Sequence, residues 1–538
     1  MLIPVVYSAV QLLFKQDGNA CEYLTKNVYP NYHGKLPSIQ KYQNMLDIVH
    51  TDVISGLFIA KKECKHLKMI KEENVDVLES DYEMKNIIYA GNPDNRIDVV
   101  FMGDGYTLQE RALFYKDIER LVNEMWNGET FKPLLPMFNI WALHLPSKDS
   151  GISFQSNVKN TAFGLQREEN QLRAIMPKNA NLARKICSQL GTKCDYPSLI
   201  GNDPFYGGLG GEFVISTSSK TTGTTVLRHE MGHNFATEGE EYDDGYVYSG
   251  YNSASSINSI AWRHWATTPI TGENKLNMLA TEHPWASLAT PYSINFKTSS
   301  GYNYLKILIS LSGVETSNTV EVAVDGVPLS YTSSNTLDRQ FYYWKFKKPL
   351  AVGQHVLKIT QLKAPSLQDP RTGGLMQRTV CSLDVHEYKD NVFEKMTEVG
   401  AFPTWDIRGR KSYRPTNDMC IMRNMTSHTF CPVCMEGMHL NFLKKIKLMD
   451  FVNVTCTADG ASATIAALPY GQLSSDLNDS TNYVINWSKG AELKEYKDKV
   501  SVNGLSNGVY TVNMRLETPH VRLNSTYLTD KKSFEVKC

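Results

Sequence analysis

From residue 96 onwards, short apolar runs alternate with longer amphipathic ones. Ile97 to Met102 is apolar apart from Asp98, the pattern of a strand buried in a sheet core. Gly103-Asp104-Gly105 reads as a turn, with Asp104 holding it through the backbone. Thr107 and Glu110 form a capping box that predicts a helix running to about Met125. Phe138 to Leu145 predicts a second strand, Ala180 to Leu190 a second helix just past Pro177, and Gly211 to Thr217 a third strand. A Thr/Gly-rich turn, Thr221 to Thr225, then opens a further helix. Strand and helix in alternation predict an α/β unit whose last strand lies at a sheet edge, where an extended peptide can pair.

Around residue 285 the pattern changes to short alternating strands: Tyr304 to Leu311, Val320 to Val324, Arg339 to Phe346 and His355 to Gln361. Val324-Asp325-Gly326-Val327 is a hairpin signal within them. Residues 451–538 show the same alternation with Gly/Asn turns, as expected of an immunoglobulin- or fibronectin-like sandwich. Residues 1–95 read as a β-rich module with strand-like runs such as Val53 to Ile59. Met1 to Phe14 fits either the apolar part of a signal segment within residues 1–20 or an N-terminal strand.

The helix opened at Thr225 carries the chemistry, His229-Glu230-Met231-Gly232-His233. Residues four apart share a helix face, so His229 and His233 can direct two imidazole nitrogens at one metal ion. Glu230 lies on the neighbouring flank, where its carboxylate can take a proton from water on that metal. A catalytic zinc ordinarily has three protein ligands. In the metzincin pattern the third lies ten residues after the first histidine, but here that position is Gly239, and Ala236 replaces the turning glycine. Gly239 is expected to end the helix and turn the chain back, which makes Glu240 or Glu241 the third ligand, with Glu240 preferred.

His229-Glu230-Met231-Gly232-His233-Asn234-Phe235 followed by Glu240-Glu241-Tyr242 resembles the M64 metallopeptidases, which include bacterial IgA-cleaving proteinases. Val99-Val100-Phe101-Met102-Gly103-Asp104-Gly105-Tyr106-Thr107, Ser147-Lys148-Asp149-Ser150-Gly151 and Tyr206-Gly207-Gly208-Leu209-Gly210-Gly211 resemble further segments of that family in the same order. Glu240 stands where the family usually has Asp. The resemblance covers residues 95–250 and resumes over 400–436, so residues 285–392 read as an inserted β-sandwich. Asp418-Met419-Cys420-Ile421-Met422-Arg423 resembles the family's Met-Arg segment, and Met422 is the candidate for a methionine turn beneath the zinc. The expected fold is multidomain α+β. It comprises a β-rich module (1–95), a metzincin-like α/β zinc peptidase domain (96–284 and 393–450), the insert (285–392) and a C-terminal immunoglobulin-like β domain (451–538).

The 538 residues carry 56 basic and 56 acidic side chains, so no basic stripe argues for nucleic acid, and no apolar run approaches a membrane span. Ten cysteines and sequons at Asn424, Asn453, Asn478, Asn486 and Asn524 fit a secreted, disulfide-bonded glycoprotein. Disulfides are expected at Cys187/Cys194, Cys456/Cys538 and, with Cys420, around Cys431-x-x-Cys434.

The expected protein is thus a secreted endopeptidase with one catalytic zinc, acting on protein or glycoprotein. Glu230 serves as base and Tyr242 lies near enough to assist. The alternatives are a non-catalytic glycan- or glycoprotein-binding surface protein on a peptidase scaffold, with glycan contact through the β modules, and a zinc amidase for non-peptide amides.

Overall fold

The computed structural model describes residues 7–17, 20–32, 38–42, 45–50, 60, 63–64, 66–68 and 78–538, the last stretch without 129, 169–170, 246, 267–269, 271–274, 348–349, 391–396, 459 and 471–480. The first part forms a five-stranded sheet in the order Ser38–Tyr42, Met45–His50, Tyr7–Asp17, Ala20–Tyr32 and His66–Lys68. A Cys21–Cys64 disulfide ties it together. Tyr7–Asp17 is therefore strand over much of the segment that also fitted a signal sequence. The run Val53 to Ile59 lies outside the described residues.

The central unit is a five-stranded sheet in the order Val214–Thr217, Tyr196–Gly201, Ile97–Asp104, Phe138–His144 and Glu83–Ile88. The first four strands are parallel, and Glu83–Ile88 closes the edge antiparallel. Every residue of Ile97–Asp104 is buried because successive side chains enter two different cores. Ile97, Val99 and Phe101 join one core, and Val100 and Met102 join the other. Helices α1 (Arg111–Val122), α2 (Ala180–Leu190), α3 (Gly223–Ala236) and α4 (Pro432–Lys445) cover the sheet. α2 packs on the Val100 face and the other three on the Ile97 face.

Two expected boundaries shift for physical reasons. α1 stops at Val122 instead of Met125, because the backbone widens into a π turn over Asn123–Asn127. The strand expected from Gly211 begins at Val214, and its outer edge is already taken. Leu209 and Ile215 exchange backbone hydrogen bonds of 3.1 and 2.9 Å, and Gly211 N–H donates to Asn234 Oδ1 (3.2 Å). An incoming peptide cannot add to this strand at Ile215.

Residues 276–388 form two antiparallel sheets around their own core. Leu276–Glu282, Thr379–Tyr388, Tyr304–Ser312 and Gln340–Phe346 form one, with Ala286–Ser287 beside Thr379–Tyr388. Tyr292–Thr298, Gly353–Gln361, Val320–Val324 and Val327–Pro328 form the other. Leu305, Ile307, Ile309 and Leu311 meet Ile294, Phe296, Val322, Leu357 and Ile359 between them. Leu276–Glu282 precedes residue 285, so the β texture starts earlier than its alternation suggested. Thr379–Tyr388 is buried along its whole length, since its other face rests on the central unit. Asp384 and His386 lie on that face beside the buried pair Lys306–Asp418.

The last part pairs Met449–Thr457, Gly460–Ala467 and Ser501–Leu505 in one sheet, and Ala491–Glu492, Asn482–Lys489, Gly508–Glu517 and Thr529–Val536 in another. Its core, centred on the fully buried Trp487, is continuous with that beneath α4. Arg96 grips Asp450 through two hydrogen bonds of 2.7 and 2.8 Å, and a Cys456–Cys538 disulfide joins the first strand to the last residue.

Candidate functional site

α3 has no apolar stripe because it is enclosed on nearly every side; Val226, Leu227, His229, Met231, Gly232 and Phe235 are all buried. Its N-terminus is held by the neighbouring β-sandwich, where the Asp338 carboxylate accepts from Ser219 Oγ (2.6 Å) and Thr222 Oγ1 (2.5 Å). A carboxylate there complements the positive end of the helix dipole. The far end is pinned by Phe235, whose ring lies 5.0–5.5 Å from those of Phe131, Phe138, Tyr196 and Phe442. Between these anchors a Cβ at Gly232 would stand 2.6 Å from Met422 Sδ, so glycine is what lets Met422 lie directly beneath the histidine pair.

His229 and His233 stack edge to face, ring centroids 4.9 Å apart. Each ring is oriented from behind by a backbone carbonyl: Nδ1 of His229 lies 3.3 Å from Ile421 O, and Nδ1 of His233 lies 2.6 Å from Glu238 O. With the proton on Nδ1, both Nε2 lone pairs are left facing forwards. They converge on Glu240, His229 Nε2 at 3.2 Å from Oε2 and His233 Nε2 at 3.3 Å from Oε1. Burial opposes charge on Glu240, but the two imidazoles outweigh it and hold the carboxyl well below its usual range. Two imidazole nitrogens and one carboxylate meeting at one point form a donor set suited to zinc.

The turn that delivers Glu240 differs from the expected one. Thr237, not Gly239, takes the left-handed conformation that ends α3, at φ 53°. Gly239 instead permits close approach, since a Cβ there would stand 2.4 Å from Ser249 O. Asn252 clamps the turn, accepting from Gly239 N–H (2.8 Å) and donating to Gly239 O (2.9 Å) and Glu241 Oε1 (3.0 Å).

Glu230 packs beside His233 against Gly210, where a Cβ would stand 2.6 Å from Glu230 Oε2. Burial raises the Glu230 carboxyl above its ordinary range, with His229 and His233 opposing. Tyr242 is half-buried, its ring between those of His229 (5.9 Å) and His283 (5.7 Å). Asp104 lies away from this group. It organises a distant loop by accepting from Phe163 N–H, Leu165 N–H and Thr161 Oγ1 at 2.7, 2.7 and 2.8 Å.

Glu241 turns away from the histidines to a second group, with Cys420, Cys431 and Cys434. These three cysteines are buried and unbonded, which corrects the expected disulfide. The Sγ atoms of Cys420 and Cys431 lie 3.6 and 3.5 Å from that of Cys434, whereas a disulfide needs about 2.05 Å. Cys187–Cys194 and Cys456–Cys538 are bonded. An acidic run usually lies on a solvated surface, yet Glu238, Glu241 and Asp243 are each at most 1% exposed. Asp243 binds Arg423 Nη1 (2.8 Å) and His386 Nε2 (2.7 Å), a link from the β-sandwich that motif spacing could not reveal. Burial alone would raise its carboxyl, but Arg423 and then His386 hold it well below the usual range. Asn424, read as a sequon, is engaged on both sides, with Tyr343 OH donating to Oδ1 (2.6 Å) and Nδ2 donating to Asp418 O (3.1 Å). Asn478 lies outside the described residues.

A His-Glu-x-x-His helix beside a mostly parallel sheet, with a carboxylate closing on both histidines, has the make-up of a metallopeptidase. Residues 86–302 match the family model described as IgA Peptidase M64. No curated protein sequence matches the chain significantly. Among solved structures, a ruminal GH26 endo-β-1,4-mannanase aligns at 11% identity over 25% of this chain and 23% of its own, with a TM-score of 0.14. A GH2 β-galacturonidase from Eisenbergiella tayi bound to glycerol aligns at 12% over 46% and 35%, with a TM-score of 0.12. The chain thus spans about a quarter to a third of those proteins, and neither likeness carries an argument about fold or function.

Proposed function

We propose that this chain is a secreted zinc-dependent endopeptidase acting on protein or glycoprotein substrates. The observation that carries this reading is the convergence of His229, His233 and Glu240, with the Glu230 carboxylate beside them. A zinc ion, when bound, acts there as a Lewis acid that polarises the scissile carbonyl and acidifies water. His229, His233 and Glu240 would hold it. Glu230 receives the proton of the attacking water and delivers it to the leaving amine nitrogen, and its partly desolvated carboxylate suits that exchange. The carbonyls of Ile421 and Glu238 keep both imidazoles in the ligating tautomer. Extracellular placement is supported by three disulfides among the described residues. Among those residues no helix is long and apolar enough to cross a membrane.

The test compares zinc content and cleavage of a mixed peptide and glycoprotein substrate set by the wild-type protein and Glu230→Gln. The variant should keep its metal and lose about 10²–10⁴-fold in turnover. A variant that cuts as fast as wild type sinks the role of Glu230. Zinc-loaded wild type that cuts nothing in the set would favour the glycoprotein-binding scaffold.

A further inference from the structure

We propose that Glu241, Cys420, Cys431 and Cys434 form a second, purely structural zinc site that shares no ligand with the His229/His233/Glu240 group. The four donor atoms lie within 4.8 Å of one another, and all four residues are fully buried. Four donors around one zinc, at Zn–S about 2.3 Å and Zn–O about 2.0 Å, stand about 3.5–3.8 Å apart along the edges of a tetrahedron. The contacts along the chain of donors match this: Cys420 to Cys434 is 3.6 Å, Cys431 to Cys434 is 3.5 Å, and Cys434 Sγ to Glu241 Oε1 is 3.7 Å.

A second observation points the same way. Glu241 Oε2 is buried with no hydrogen-bond partner, as are both carboxylate oxygens of the adjacent Glu238. Buried carboxylate oxygens without donors are costly unless a cation stands near them. Three soft thiolates with one carboxylate select zinc over calcium or magnesium, and leave no open position for substrate. Binding deprotonates the three thiols and releases their protons to solvent.

The placement of the ligands gives the site its purpose. Glu241 follows Glu240 directly, and its N–H donates to Met422 O at 3.1 Å. Cys420 precedes Ile421, whose carbonyl orients His229. Cys431 is the N-cap residue of α4 and Cys434 lies in its first turn. One ion would therefore fasten the Glu240 turn, the Cys420–Arg423 turn and α4 together directly behind the histidine pair.

The experiment measures zinc per chain in the full-length wild type, His233→Ala and Cys434→Ser, and counts alkylatable thiols after denaturation without reductant. Wild type should hold two zinc ions, and His233→Ala one, resistant to mild chelation. Cys434→Ser should lose the resistant ion. Four thiols should be alkylated, the number of unbonded cysteines. If Cys434→Ser does not fold, cobalt-loaded His233→Ala decides instead, since thiolate ligation gives it strong charge-transfer absorption in the near ultraviolet. A zinc-free His233→Ala, its cobalt form lacking that absorption, or a count of two thiols would overturn the proposal. Wild type holding only the chelation-resistant ion would instead sink the endopeptidase reading and leave this one standing.

Discussion

At the scale of single residues, two neighbouring glutamates face opposite surroundings. Glu240 meets two imidazoles and stays charged, whereas burial pushes the carboxyl of Glu241 up to about 8. Sequence spacing left both open as the third ligand, because one residue of register in an irregular turn decides which side chain faces the two histidines. Glycine matters as much as charge here. Gly210→Ala should displace Glu230 and lower kcat/KM about 10²-fold, as small misplacements of catalytic groups do, with zinc content and Tm unchanged. Full activity in that variant would show that Glu230 has room to spare. Arg167, paired with the buried Asp203 at 2.7 and 2.9 Å, anchors the segment leading to Gly210 by donating to the carbonyls of Phe205 and Tyr206. Burial would raise the Asp203 carboxyl, but Arg167 lowers it below the ordinary value, so the pair stabilises above pH ~4 and ceases to as pH falls through the folded pKa. Arg167→Met should cost about 3–5 kcal/mol at pH 7, and the deficit should shrink in denaturation curves as the pH falls from neutral and the stranded carboxylate takes up a proton. A deficit independent of pH would assign the loss to packing alone.

At the scale of elements, α1–α3 and the strands Ile97–Asp104, Phe138–His144 and Val214–Thr217 were legible from their periodicity, whereas Gln171–Pro177 and Tyr196–Gly201, short and without clear alternation, were not. Thr107 N–H and Oγ1 both donate to the Glu110 carboxylate, at 2.9 and 3.0 Å. Glu110 is itself the N-cap of α1, however, and its N–H goes to Thr107 O (3.0 Å), so the expected capping box is a turn just ahead of the helix. The π turn after α1 was not legible, since its cause is tertiary. Glu124 within it accepts from Thr224 Oγ1 through its carboxylate and from Arg228 through its carbonyl (2.9 Å), bracing α3. The aromatic knot at the other end of α3 was equally hidden, for Phe131 and Phe442 are distant in sequence. Phe235→Ala should lower stability by about 3–5 kcal/mol in denaturant unfolding. A loss below about 1 kcal/mol would mean that the neighbouring rings close the gap.

At the scale of the whole molecule, the sandwich packed on the central unit takes part in building the candidate site. It supplies Asp338 to the N-terminus of α3 and His386 to Asp243. Between them Arg339 lies over the rings of Tyr206 and Trp285, at 4.4 and 5.2 Å. Asp338→Ala should weaken the seating of α3 and cost about 1–3 kcal/mol in unfolding free energy, with a parallel loss of zinc affinity in chelator competition. Lost stability with unchanged affinity would separate the two.

The matched family segment ends at residue 302, with both histidines and Glu240 already present. The carbonyl that orients His229 belongs to Ile421, and the sulfur beneath the pair to Met422. A ribosome needs roughly 10–40 s to add the intervening stretch of about 180 residues. Through that interval the emerging protein carries its ligands without the frame that aims them. The order of the chain is thus a timer, in which the His229/His233/Glu240 group waits for Ile421 and Met422 before its histidines are held in place.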